Sequence, residues 1–127
     1  MNTDLFMLTL SALLSFMQVM PITIGYFIYW GPKVIVSNRE DTPPLPGWVT
    51  RASAAHRNLL ENLPAFAILV IVAQLSERAN EMTGLGAMIF VGARVLYAMA
   101  YIFGTPLRSV IFGAGVAGEV LILMQLF

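Results

Sequence analysis

Long apolar runs of helix length, not strand length, organise the chain. The first, Leu5 to about Trp30, is interrupted only by Gln18, Pro21 and small hydroxyl residues, and it is long enough to cross roughly 30 Å of hydrocarbon. A polar stretch follows, Gly31 to Gly47, carrying Lys33, Arg39, Glu40 and Asp41 and then Thr42-Pro43-Pro44-Leu45-Pro46-Gly47, whose prolines cannot continue a helix. The second run, about 48–76, is polar in its first half and strongly apolar from Leu63 to Leu75, with Pro64 as an expected kink. A turn at Glu77-Arg78-Ala79-Asn80-Glu81 closes it. The third run covers about 82–103, and Gly104-Thr105-Pro106 ends that helix and opens the last, about 106–127. No segment shows the alternation of a porin-type barrel. The pattern predicts an all-α membrane protein: one bundle of four transmembrane helices over residues 1–127, with a cytoplasmic loop at about 31–47 and no linker that would divide it.

Composition agrees with this reading. With 58% hydrophobic and 11% charged residues, a chain of 127 residues cannot hide its apolar surface inside a globule. Zero formal net charge gives nucleic-acid binding no support. The absence of cysteine removes disulfides, thiolate ligands and any protein thiol nucleophile, so sulfur chemistry has to come from a substrate. One histidine and no clustered carboxylates leave no metal site to propose. The N-terminus lacks the basic region of a secretory signal, so its apolar run is expected to stay in place. Lys33, Arg39, Arg51, Arg57 and Arg108 lie in or near the first and third loops, and only Arg78 lies in the second. The positive-inside bias then puts loops one and three in the cytoplasm and both termini on the opposite side.

The run His56-Arg57-Asn58-Leu59-Leu60-Glu61 sets ionisable groups at the head of an apolar span, where unpaired charge is costly and usually functional. Arg51, Ala54, Asn58 and Glu61 form one helical stripe, flanked by His56 and Arg57. Arg57 and Glu61 are also spaced as a local ion pair, a plainer reading that leaves Asn58 unexplained. On the third span Arg94, Tyr97 and Tyr101 share a face. At about 1.5 Å per residue, Arg94 and Glu61 reach similar depths of roughly 15 and 18 Å, which favours a Glu61–Arg94 bridge between helices. The tyrosines suit either an interfacial belt or a pocket wall. Arg108 and Ser109 begin the fourth span, where free backbone N–H groups and a guanidinium favour an anion, the alternative being an arginine snorkelling to lipid phosphate. Glu119 reads as structural, with Gln18 at similar depth as its candidate partner, beside a run of small residues suited to close helix packing.

Arginines to clamp carboxylates, Glu61 for an ammonium or amide, Asn58 and donating tyrosines suit a zwitterionic peptide with two carboxylates. The abundant cytoplasmic example is glutathione, whose thiol becomes nucleophilic when a neighbouring cation stabilises the thiolate.

Taken together, His56-Arg57-Asn58-Leu59-Leu60-Glu61 with Pro64 and Phe66, then Arg94-x-x-Tyr97-x-x-x-Tyr101, then Pro106-Leu107-Arg108-Ser109, resemble the MAPEG family over nearly the whole chain. That family contains microsomal glutathione transferases, leukotriene C synthase and microsomal prostaglandin E synthase. The short length and the stretch Asn38 to Trp48 are similar to its bacterial branch. The resemblance implies a homotrimer in a bacterial inner (plasma) membrane, in contact with lipids, with glutathione as co-substrate between subunits. It implies a glutathione-dependent transferase or peroxidase acting on a lipophilic small molecule, with Arg108 and Ser109 catalytic at the thiol. Arg57, Asn58, Glu61, Tyr97 and Tyr101 would hold the peptide, helped by Arg51, His56 and Arg94 and, more weakly, Lys33. Ala54 stands where eukaryotic members carry an arginine, so Arg51, one turn earlier, is the candidate replacement, and Phe112 stands where some members have tyrosine. A non-catalytic member of the same fold that binds lipid or a partner is the alternative. A small multidrug exporter would need a carboxylate within its first helix, and here only Asp4 lies at its end.

Overall fold

A computed structural model describes residues 2–127. It contains α1 (Thr3–Tyr29), a short α2 (Pro32–Ile35), α3 (Gly47–Leu75), α4 (Glu81–Ile102) and α5 (Arg108–Leu126). Of these, α1, α3, α4 and α5 are the 4 helices long and apolar enough to cross a membrane. There is no strand among the described residues.

Local chemistry sets the helix ends. The Asn2 side chain accepts from the Leu5 N–H and so satisfies one free donor at the head of α1. At α4 the Asn80 side chain accepts from Met82 and Thr83, while the Thr83 hydroxyl accepts from the Asn80 N–H, a reciprocal capping box. Gly104, with φ of +72°, turns the chain between α4 and α5 in a conformation that costs glycine little. Pro21 and Pro64 lie inside α1 and α3, which continue through them. Between α1 and α3 the chain folds back on the end of α1: Trp30 donates its indole N–H to the Pro43 carbonyl at 2.8 Å, and the Arg39 guanidinium lies over the Tyr26 and Trp30 rings.

The core forms where α3, α4 and α5 meet. Phe66 and Phe90 stack at 4.1 Å between centroids, enclosed by Val70, Ala87, Val91 and Ile122. The closest approach is between α4 and α5. A Cβ on Gly86 would stand 2.5 Å from the Gly118 carbonyl, and one on Gly118 would stand 2.6 Å from the Gly86 carbonyl, so only paired glycines permit this separation. Outward faces are apolar: Phe16, Val110 and Met124 are each more than 60% exposed, as lipid-facing residues of a membrane bundle are.

The span limits agree with the sequence pattern to within two residues. The sequence reading assigned no helix to Pro32–Ile35 and began the last span at 106, whereas Pro106 and Leu107 form a turn before α5.

Candidate functional site

Asn58 on α3, Tyr97 on α4, and Arg108, Ser109 and Phe112 on α5 line one cleft of about 220 Å³. Arg94, one helical turn from Tyr97, is 3% exposed and packs against three of these residues, Asn58, Tyr97 and Phe112. Its Nη2 donates to Asn58 Oδ1. Its guanidinium lies 4.6 Å from the Tyr97 ring centroid and 5.6 Å from that of Phe112, so two aromatic faces and one amide hold the buried charge. The Nε of Arg94 is buried without a hydrogen-bond partner among the described residues.

Asn62 completes this layer. Its amide donates to the Asn58 carbonyl at 2.8 Å and lies 3.5 Å from Asn58 Oδ1. With its oxygen turned to Arg94, Asn58, which lines the cleft, keeps its NH₂ group as an unused donor. Sequence reasoning did not single out Asn62, although the four-residue step from Asn58 was the available signal.

At the mouth, Arg108 is exposed in the first turn of α5 and lies 4.9 Å over the Tyr101 ring. Arg108 and Ser109 both line the cleft, and no side chain caps α5, whose first backbone N–H groups have no partner within the helix. The Tyr97 ring is tilted against those of Tyr101, at 5.7 Å between centroids, and Phe112, at 6.1 Å. The arrangement is electropositive and rich in donors, with an aromatic wall: it suits an anion at its mouth.

Other expected residues lie elsewhere. Arg57 and Glu61 are exposed, and neither the Arg57–Glu61 pair nor the Glu61–Arg94 bridge forms; Arg94 turns to Asn58 instead. Arg51 donates its Nε to the Ile102 carbonyl at 3.0 Å, so it caps the end of α4. His56 faces α1, its Nδ1 3.3 Å from Gln18 Oε1. Gln18 is therefore the partner of His56 and not of Glu119. Lys33 is exposed on α2, outside the cleft.

A second cleft, of about 390 Å³, continues along the same two helices. It runs between Ala65, Ile68 and Leu69 of α3 and Val116, Val120 and Leu123 of α5, with Glu119 as its one ionisable residue. Ser109, Phe112, Val116, Glu119 and Leu123 recur at three- and four-residue steps on α5, so both clefts lie on one face of that helix. Together the two separate clefts give this grooved face a polar head and an apolar tail.

No curated protein and no solved structure matches the chain. The model of the MAPEG family matches residues 5–127, almost the whole sequence, and the protein belongs to that family as an integral membrane protein.

Proposed function

We propose that the protein is a membrane-bound glutathione transferase or peroxidase acting on lipophilic electrophiles or lipid hydroperoxides. The observation that carries this reading is the pair of clefts on one face of α5: an electropositive head at Arg108 and Ser109, and an apolar tail between α3 and α5. A peptide with carboxylates fits the head. Asn58 offers an N–H donor, Arg94 Nε is a buried donor in need of an acceptor, and the tyrosines contribute hydroxyls and ring faces. The apolar cleft suits the second substrate.

Glutathione supplies the thiol: its sulfur bonds to the electrophilic carbon as the bond to the leaving group breaks with its electron pair, or it takes the terminal oxygen of a hydroperoxide as the O–O bond breaks, leaving an alkoxide that takes a proton from water, and a second glutathione then converts the sulfenic acid to the disulfide and water. The chain's part is electrostatic. Arg108, with the Ser109 hydroxyl and the N-terminal end of α5, stabilises the thiolate and disfavours its thiol form. Stacking on Tyr101 restrains the Arg108 side chain. His56 faces Gln18 and is not the base, so the thiol proton passes to water. A homotrimer, with glutathione between neighbouring subunits, would cover the exposed mouth of the head at Arg108 and Ser109. The proposed location is a bacterial inner membrane, with loops one and three facing the cytoplasmic glutathione pool.

Purified protein assayed for glutathione conjugation and for hydroperoxide reduction tests this. Arg108→Ala should lower turnover about 100-fold, the scale of losing one preorganised donor at a developing anion. Unchanged turnover rejects the role of Arg108, and no glutathione binding by calorimetry rejects the function.

One observation favours the non-catalytic alternative. Arg51 is engaged at Ile102 and does not supply the cation missing at Ala54, so the stripe is one carboxylate clamp short. That reading predicts lipid binding along the groove and no glutathione affinity.

A further inference from the structure

Glu119 is an unusual residue for its surroundings. It is half-buried in the tail cleft and every other residue lining that cleft is apolar. No hydrogen bond satisfies it from within the fold. Gln18 is engaged with His56, and Arg94, whose charge attracts Glu119, directs its Nη2 to Asn58. No hydrogen bond reaches the carboxylate from the described residues. A carboxyl group kept at bilayer depth without a hydrogen-bond partner is expensive, and such groups usually face a ligand.

Its position along the groove is equally specific. Glu119 follows Ser109 by ten residues on α5, about 15 Å along the axis at 1.5 Å per residue. That is the reach of an extended acyl chain from its reacting end to a carbon near its middle.

Building on the lipophilic-substrate reading, we propose that Glu119 selects the substrate. The groove takes a single-chain lipid bearing a hydroxyl group part-way along its chain, and Glu119 hydrogen-bonds that hydroxyl while Val116, Val120 and Leu123 hold the methylenes. A hydroxyl suits the carboxyl in either protonation state, donating to the ionised form and accepting from the neutral one. A plain chain in the same place would leave Glu119 desolvated and unpartnered, which is how a polar group in an apolar site discriminates. Glu119 is thus a specificity-determining residue, the one that reads the mid-chain hydroxyl.

The test is binding, measured without glutathione so that failure of the transferase reading does not decide it. Protein in phosphatidylcholine nanodiscs is titrated with oleate and with ricinoleate, the same chain carrying a mid-chain hydroxyl, by displacement of a fluorescent fatty acid. Wild type should prefer ricinoleate about tenfold, the scale of one hydrogen bond made in place of a desolvated group. Glu119→Gln should keep a preference, and Glu119→Leu should bind both ligands alike. No preference in wild type, or an undiminished one in Glu119→Leu, overturns the proposal. Should Glu119→Leu fail to fold, infrared difference spectra of wild type decide: the Glu119 carboxyl band, assigned with Glu119→Gln, should shift with ricinoleate and not with oleate. Equal spectra overturn it. Val116→Trp should block both ligands and leave the oligomer intact. Dissociation of the oligomer would identify the groove as a subunit contact and also overturn the proposal.

Discussion

Arg94 is the residue on which the candidate site turns. A guanidinium 3% exposed within a bilayer-spanning helix has to be held by groups strong enough to offset lost hydration, and here these are the Asn58 amide oxygen and the rings of Tyr97 and Phe112. Asn58→Leu, similar in volume, should therefore cost about 2 kcal/mol by leaving a buried charge without its hydrogen bond. Arg94→Met removes the charge itself, and the double variant should recover part of the Asn58→Leu loss. Titration with a denaturing detergent against a mild one measures this, and strictly additive losses would show that the two side chains do not support each other. The sequence identified both residues but paired Arg94 with Glu61. Depth counted along two helices does not fix their rotation about their axes, and Glu61 faces outward while Asn58, nearly one turn earlier, faces in. Glu119 was legible as a buried carboxylate. Its setting in an apolar cleft was not, because the cleft exists only once α3 and α5 lie side by side.

The elements differ in how tightly they are joined, and glycine placement says where. At Gly86 and Gly118 the backbones of α4 and α5 approach so closely that a Cβ on either would meet the opposite carbonyl at 2.6 Å or less. Gly118→Ala has to push two helix backbones apart, for which about 1–3 kcal/mol is the usual cost of overpacking. Gly113, on the same helix, has nothing within 4 Å of where its Cβ would be, so Gly113→Ala should be neutral or should gain up to about 1 kcal/mol of helix propensity. The same detergent titration measures both. Equal effects would mean that the α4–α5 contact does not depend on the glycine pair. The spans themselves could be read from the sequence because a run of twenty apolar residues has few alternatives. The four residues of α2 could not, since one turn opened by a proline offers no period to detect. The start of α5 was misplaced for a related reason: Pro106 suits a first helical position, but here Thr105, Pro106 and Leu107 are used to turn the chain after Gly104.

At the scale of the whole molecule, the polar head of the groove lies at the loop-one end of the bundle, so membrane orientation decides which solutes reach it. The proposed orientation puts that end in the cytoplasm, on the ground that Lys33, Arg39, Arg51, Arg57 and Arg108 lie in or near loops one and three, against Arg78 alone in the second loop. Because the chain contains no cysteine, each introduced thiol reports alone. Ser37, exposed after α2, and Glu77, exposed in the turn after α3, lie at opposite ends of the spans. In intact cells a membrane-impermeant maleimide should label Glu77→Cys and leave Ser37→Cys unlabelled until the membrane is broken. The reverse pattern would place Arg108 and the cleft outside, away from cytoplasmic glutathione, and would remove the co-substrate on which the transferase reading depends. Labelling of Glu77→Cys alone would leave the thiol donor and the groove head in one compartment, with the apolar tail open to the lipid that supplies the second substrate.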